Sequence, residues 1–208
     1  SIGVVCQVDA EMEDPTVKDL YPVGVVADVI KVLEMPDETT TVILQGRRRF
    51  VLGEQTAELP YMRARVVLLE DELPEKNDKE YEALIISIKE LTLKMLRTVG
   101  EHKEMAFAVN NIDNAIYLTN FVCCNCPFEP VEKQELLAID NLKARAFRLY
   151  EALSREAQLL DIKADIQSKT REGINQQQRE HFLQQQIRTI QEELGGDGVE
   201  QEIQELRD

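Results

Sequence analysis

Three thiols within four residues, Cys123, Cys124 and Cys126, form the densest grouping of reactive side chains in this sequence. Tetrahedral zinc takes cysteine pairs spaced C-x₂₋₄-C together with two further ligands. Here C-C-x-C stands alone, and a fourth sulfur would have to come from Cys6 near the start of the chain. The competing reading is structural, because a free cysteine behaves as a small buried hydrophobe. Disulfides between such close neighbours would staple nothing, and with no secretory signal, reduced thiols in a cytosol are the expectation. The two histidines, His102 and His181, lie far apart in helical surroundings. The serines are Ser1, Ser87, Ser154 and Ser168, and the last three fall in helical stretches without an oxyanion-hole glycine pattern. No G-x-x-x-x-G-K-[ST], G-x-S-x-G or H-E-x-x-H motif is present, so no phosphate cradle, nucleophile elbow or zinc helix is set up. The residues therefore point to binding rather than catalysis, with no catalytic, cofactor-binding or metal residue expected.

Arg47-Arg48-Arg49 is the one basic run. It could serve a phosphate backbone, or it could be a strand edge where charge blocks unwanted pairing. The whole chain carries a formal charge of −15 with a pI near 4.7, a field that repels nucleic acids and anionic membranes. No apolar run reaches the roughly 18–20 residues that span a bilayer. Nucleic acid and membrane are thus set aside as partners, and protein is favoured.

The elements that would position a binding surface follow from periodicity. Residues 1–72 read as a β-rich subdomain, with strand candidates at Ile2–Val8, Val23–Leu33, Thr40–Leu44, Arg49–Leu52 and Tyr61–Leu69. Pro36-Asp37-Glu38-Thr39 offers turn chemistry, and Gly46 is expected to break the run that Arg49–Leu52 continues. Short strands at this spacing suggest a small antiparallel barrel or sandwich. The stretch EDELPEKNDKEYE, with seven acids and two lysines, reads as a solvated connection. Residues 73–139 then read as a helical subdomain: Leu84, Ile88, Leu91 and Met95 recur at helical spacing, Gly100 is a plausible stop, and shorter helices follow near Lys103–Val109, Asp113–Val122 and Val131–Ala138.

Residues 140–208 read as a long helix and the start of a linker. Leu142, Ala146, Leu149, Leu153 and Leu160 form an apolar stripe, which thins and returns as Leu183, Ile187, Ile190 and Leu194 before Gly195-Gly196. About 55 helical residues would extend for about 80 Å, too long for one small core, so the distal half is expected to project and meet other protein. Gly173 offers a place to bend, and Val199, Ile203 and Leu206 hint at another helix. The fold class is therefore α+β: a small β-rich, barrel-like subdomain, then a helical bundle, then a long projecting helix. The candidate contact face of the long helix is Leu183, Ile187, Ile190 and Leu194. Met35, Tyr61, Met62 and Phe128, apolar residues beside expected turns, are weaker candidates for contact with a protein substrate, and core placement is the favoured reading for each.

The segment Asn175–Gly196, NQQQREHFLQQQIRTIQEELGG, resembles the helix that leads from the N-terminal domain of bacterial Lon proteases to their ATPase module. The family pattern Q-R-E-x-x-L-x-x-Q-x-x-x-I-x-x-E-L-G is matched by Gln178, Arg179, Glu180, Leu183, Gln186, Ile190, Glu193, Leu194 and Gly195. Asp19-Leu20-Tyr21, Val23-Gly24 and Ala27 resemble the family's D-L-[FY]-x-V-G-x-x-A segment. Met35-Pro36-Asp37 resembles its hairpin turn and Gly46-x-x-Arg49 its G-x-x-R strand.

The resemblance implies a substrate-recognition and positioning region of a cytoplasmic, ATP-dependent serine protease that works as a homo-oligomeric ring, commonly a hexamer, in protein quality control. It implies that opening strands precede Ser1, and that an ATPase module using ATP and Mg²⁺ and a Ser–Lys peptidase follow Asp208. The expected partners are unfolded or tagged substrates and other ring subunits. The cysteine cluster is no part of the family pattern. The alternative is a free-standing adaptor that self-associates through its long helix.

Overall fold

The computed structural model describes residues 1–36, 39–99 and 103–195. The fold is α+β. Four strands, β1 (Ile2–Val4), β2 (Val23–Glu34), β3 (Thr40–Ala57) and β4 (Arg63–Leu68), form one antiparallel sheet in the order β1-β2-β3-β4. Among the described residues five α-helices follow: α1 (Lys79–Val99), α2 (Lys103–Asn111), α3 (Ala115–Asn125), α4 (Pro130–Ala138) and α5 (Leu142–Gly195).

Gly46 does not interrupt the sheet. It lies within β3, opposite Ala27, beside a bulge that leaves the Arg47 backbone out of the register with β2. The missing side chain relieves crowding there, because a Cβ on Gly46 would come 3.2 Å from Val25. A bulge absorbs a glycine that would otherwise weaken a strand.

Helix starts are fixed by side-chain caps. Asp78 Oδ1 accepts from the backbone N–H of Tyr81 at 3.0 Å and of Glu80 at 3.1 Å, opening α1. Asn114 accepts from Tyr117 N–H at 2.9 Å at α3, and Asn141 from Ala144 N–H at 3.0 Å at α5. Each side chain satisfies a donor that the first helical turn leaves open. Pro130 stands at the start of α4, where its missing N–H costs nothing.

The chain divides into two compact units, Ser1–Ala157 and Gln158–Asp208. In the first, the sheet contributes Val23, Ala27 and Phe50 to the core, and the helices contribute Ile88, Met95, Val109, Leu118, Val122 and Leu136. Leu142, Ala146, Leu149 and Leu153 of α5 are all fully buried. Their spacing presents one apolar stripe to the bundle, and Leu160 is only half-buried. In the second unit the helix continues through Gly173 without a break to Gly195. The turn residues Asp37 and Glu38, the expected stop at Gly100, His102, Gly196, and the expected helix at Val199, Ile203 and Leu206 lie outside the described residues.

Candidate protein-binding surface

Strands β2 and β3 outrun their neighbours. β1 covers β2 only at Val25–Ala27, and β4 pairs with β3 only between Phe50 and Ala57. From Asp28 to Glu34, paired with Thr40 to Gln45, the sheet is a two-stranded ribbon. Its register pairs Val29 with Leu44 and Val32 with Val42, but skips Ile30. Val29 and Val32 are three residues apart, so a regular strand would place them on opposite faces. The extra residue at Ile30 restores the parity. Val29, Val32, Val42 and Leu44 consequently share the face that carries buried Ala27 nearer the base. They are 42%, 55%, 44% and 38% exposed, an apolar face left in water. Met35 closes the ribbon's tip, its N–H donating to Thr39 C=O at 2.8 Å, and its side chain is exposed.

Tyr61 and Met62 are exposed too, but the 18 residues of β3 separate their loop from the ribbon tip, so they and Met35 do not form one site. Arg63 stacks over the Tyr61 ring at 4.6 Å and donates to its hydroxyl at 2.6 Å. Phe128, expected as a possible contact, is 5% exposed. It is a core residue, because the segment between α3 and α4 turns it inward.

The base of the ribbon is tied to the bundle by charge. Arg49 on β3 pairs with Asp71 at 2.7 Å and Asp140 at 3.0 Å, and donates to Leu137 C=O at 2.8 Å. Arg145, on the first turns of α5 and 3% exposed, pairs with the same Asp71 oxygen at 2.7 Å and donates to Ile139 C=O at 2.9 Å. Gln134 on α4 donates to Val23 C=O at 2.6 Å. Two guanidiniums and a carboxamide thereby lock α4 and the root of α5 onto the sheet. The basic run is divided among separate tasks: Arg47 pairs with Asp28 at 2.7 Å, Arg49 is inside the lock, and Arg48 is exposed. The acidic connection is not merely solvated, since Asp71 and Asp78 are both engaged.

The thiols differ among themselves. Cys124 and Cys6 are exposed, Cys123 is half-buried and Cys126 is buried at the C-terminus of α3. Burial pushes the thiols of Cys123 and Cys126 up to about 12, with neighbouring cysteines adding to the shift at Cys123. Such thiols are poor nucleophiles and poor ligands at neutral pH. Among the described residues no group of three or more His, Cys, Asp and Glu is placed to hold a metal ion, and no helix is long and apolar enough to cross a membrane.

In the second unit, Phe182, Leu183, Ile187 and Ile190 of α5 are 58%, 48%, 55% and 52% exposed. Leu194 lies at the helix end, in the last turn before Gly195.

Residues 1–155 match the family described as the ATP-dependent protease La (LON) substrate-binding domain. The chain is 55% identical over 208 residues to the Lon protease of Parabacteroides distasonis, covering 100% of this chain and 25% of that protein. It is 50% identical to the Lon protease of Porphyromonas gingivalis, covering 99% of this chain and 25% of that protein. The chain thus spans about a quarter of the length of these relatives. Among solved structures, the N-terminal domain of a Mycobacterium avium complex Lon protease superimposes with a TM-score of 0.55 at 24% identity, covering 74% of this chain and 90% of that one. That likeness concerns the fold.

Proposed function

Because this chain belongs to the Lon substrate-binding domain family, we propose that it captures unfolded or tagged protein for an ATP-dependent serine protease, and that the ribbon of β2 and β3 is a place of capture. The observation that carries this reading is the face made by Val29, Val32, Val42 and Leu44. A one-residue bulge aligns four aliphatic side chains that stay 38–55% exposed. A folded monomer gains nothing from leaving such a face in water, whereas an unfolded chain offers apolar side chains to cover it. The charge of −15 adds selectivity, since it disfavours strongly acidic segments.

The rest of the enzyme belongs to this reading. ATP and Mg²⁺ bind a module outside these residues, peptide hydrolysis occurs in another, and the chains assemble as a homo-oligomeric ring in the cytoplasm. The second unit of α5 leads toward those parts.

The test uses this chain with Val32→Glu and Val42→Glu together, and reduced, carboxymethylated lactalbumin as the unfolded probe. Fluorescence anisotropy is expected to show binding by the parent chain and a loss of roughly tenfold or more in the double variant, as two apolar contacts become buried carboxylates. Urea unfolding should fall by no more than about 1 kcal/mol, because both positions are solvent-facing although the two carboxylates oppose each other across the ribbon. Equal binding by parent and variant would remove the ribbon from the reading.

A further inference from the structure

The two edges of the β2–β3 ribbon are built differently. Met35 N–H donates to Thr39 C=O at 2.8 Å, so the Thr39 backbone turns toward β2. Backbone groups alternate between the two edges of a strand, and β3 has no bulge of its own between Thr40 and Gln45. The N–H and C=O groups of Thr40, Val42 and Leu44 therefore point away from β2. Among the described residues nothing pairs with that side of β3 until Arg49, whose C=O accepts from Leu69 N–H at 2.9 Å.

Proteins guard free strand edges with charge, proline or a bulge. The β2 edge of the ribbon is guarded: Asp28, Lys31 and Glu34 stand along it, and Ile30 is bulged out of register. The β3 edge is not. Thr40-Thr41-Val42-Ile43-Leu44-Gln45 carries no charge and no proline, and its Thr, Val and Ile residues favour extended backbone. The outward backbone groups belong to Val42 and Leu44, the same residues that give β3's half of the exposed apolar face. One exposed cation, Arg48, flanks the open edge and has no hydrogen-bond or ion-pair partner among the described residues. It shares a face of β3 with Gln45, since their partners Val26 and Asp28 are two residues apart on β2.

We infer that a protein substrate is held as an added strand, an extended segment of six residues lying antiparallel along Thr40–Gln45. The inference rests on the capture reading above and supplies its mode. Main-chain hydrogen bonds give such binding its strength whatever the sequence, and alternate side chains give it a preference. Residues opposite Val42 and Leu44 join the apolar face. The first residue of the segment, opposite Gln45, lies diagonal to Arg48 and favours a carboxylate. A second copy of this chain laid on the edge would present the same uncharged run and no carboxylate there.

Nuclear magnetic resonance of the chain reads the edge residue by residue. In the free chain the amides of Thr40, Val42 and Leu44 are expected to exchange fast, and those of Thr41 and Ile43 slowly. With reduced, carboxymethylated lactalbumin at saturation, the Val42 and Leu44 amides should slow by about tenfold or more. The acetylated, amidated peptide Asp-Val-Thr-Val-Thr-Val is the defined probe. N-methylation of its middle valine, opposite Val42, removes a donor aimed at β3 and should weaken binding by roughly fivefold or more. N-methylation of its first threonine, whose N–H points outward, should leave binding within about twofold. Lysine in place of the aspartate should weaken binding by about threefold or more, and Arg48→Glu should reverse that preference. Binding of the probes with Val42 and Leu44 exchanging as in the free chain, or equal binding of the two N-methyl peptides, would overturn the added strand while the capture reading stands. Absence of binding by either probe would overturn both. Protection of these amides that grows with chain concentration, without a probe, would give the edge to a second copy and overturn the proposal.

Discussion

Arg145 Nη2 and Asp71 Oδ1 meet at 2.7 Å, with the guanidinium 3% exposed, and the same carboxylate oxygen is 2.7 Å from Arg49. Asp71 thus bridges two largely buried cations from different layers of the fold, and Asp140 shares the one on Arg49. Asp71→Asn removes the bridging charge while keeping the shape. The expected cost is about 3 kcal/mol, since breaking a buried pair leaves a charge without compensation. A lower urea midpoint at unchanged slope would show it. A midpoint equal to the parent's would mean that Asp140 and the carbonyls of Leu137 and Ile139 suffice.

Gly24 tolerates no side chain. A Cβ there would lie 2.6 Å from Phe50 Cζ, 2.7 Å from Val4 O and 2.8 Å from Val5 Cγ2. The Val4 carbonyl belongs to a paired strand and cannot withdraw. Gly24→Ala is expected to cost about 2 kcal/mol or more by overpacking. Gly173→Ala should do the opposite, because nothing lies within 4 Å of its Cβ site and alanine is worth about 1 kcal/mol over glycine inside a helix. Thermal unfolding followed by circular dichroism separates the two outcomes.

Alkylation distinguishes the four thiols. In the folded chain at neutral pH, iodoacetamide is expected to reach the exposed Cys6 and Cys124, and to modify Cys123 and Cys126 only after unfolding. The raised pair also sets a base limit. Above about pH 9 the unfolded chain ionises these thiols, while the folded chain keeps their protons to about 12. The unfolded state then binds fewer protons, so stability falls as pH rises through that window. Cys126→Ala should flatten the fall, and a slope that does not change would contradict the assignment.

Asp78 sets an acid limit. The hydrogen bond from Lys143, followed by that from the Tyr81 N–H, holds its carboxyl below the usual value of 3.8. The folded state therefore binds fewer protons than the unfolded one near that value. The contribution is present above about pH 4 and is lost as pH falls through the depressed folded value. Asp78→Ala should remove that part of the acid transition and fray the start of α1, visible as faster hydrogen exchange at Glu80 and Tyr81. Equal exchange in both proteins would show that the cap is dispensable.

The helices were legible because each announces itself locally. Ile88 and Met95 recur at helical spacing, whereas the cap at Asn114 and the start of α4 at Pro130 came from the structure. The strands were legible in place but not in length. Gly46 reads as a break because sequence cannot show the bulge at Arg47 that accommodates it. The exposed apolar face was hidden for a related reason. Val29 and Val32 differ by an odd number of residues, and only the pairing with β3 shows that Ile30 lies outside the count. The ion lock was hidden by distance, since Arg49, Asp71 and Arg145 are strangers in sequence. Asp71 sits in a run of acids whose average character is that of a linker. Phe128 stood open between contact and core, with core favoured, and its neighbours bury it. The stripe of α5 was legible: Leu183, Ile187 and Ile190 stand out at helical spacing and are exposed.

The lock at Arg49 also has a mechanical side. Arg49 sits near the middle of β3, the strand that carries one half of the exposed ribbon, and its guanidinium reaches Asp140, two residues before α5 begins. A load applied at the root of α5 enters the sheet through side chains crossing β3 rather than through the loops that connect the elements. It pulls across a strand paired on both sides, a direction in which many hydrogen bonds must give way together. Whatever grips the ribbon is thus coupled to the root of the helix without a hinge between them, and the first unit takes up the load as a stiff handle.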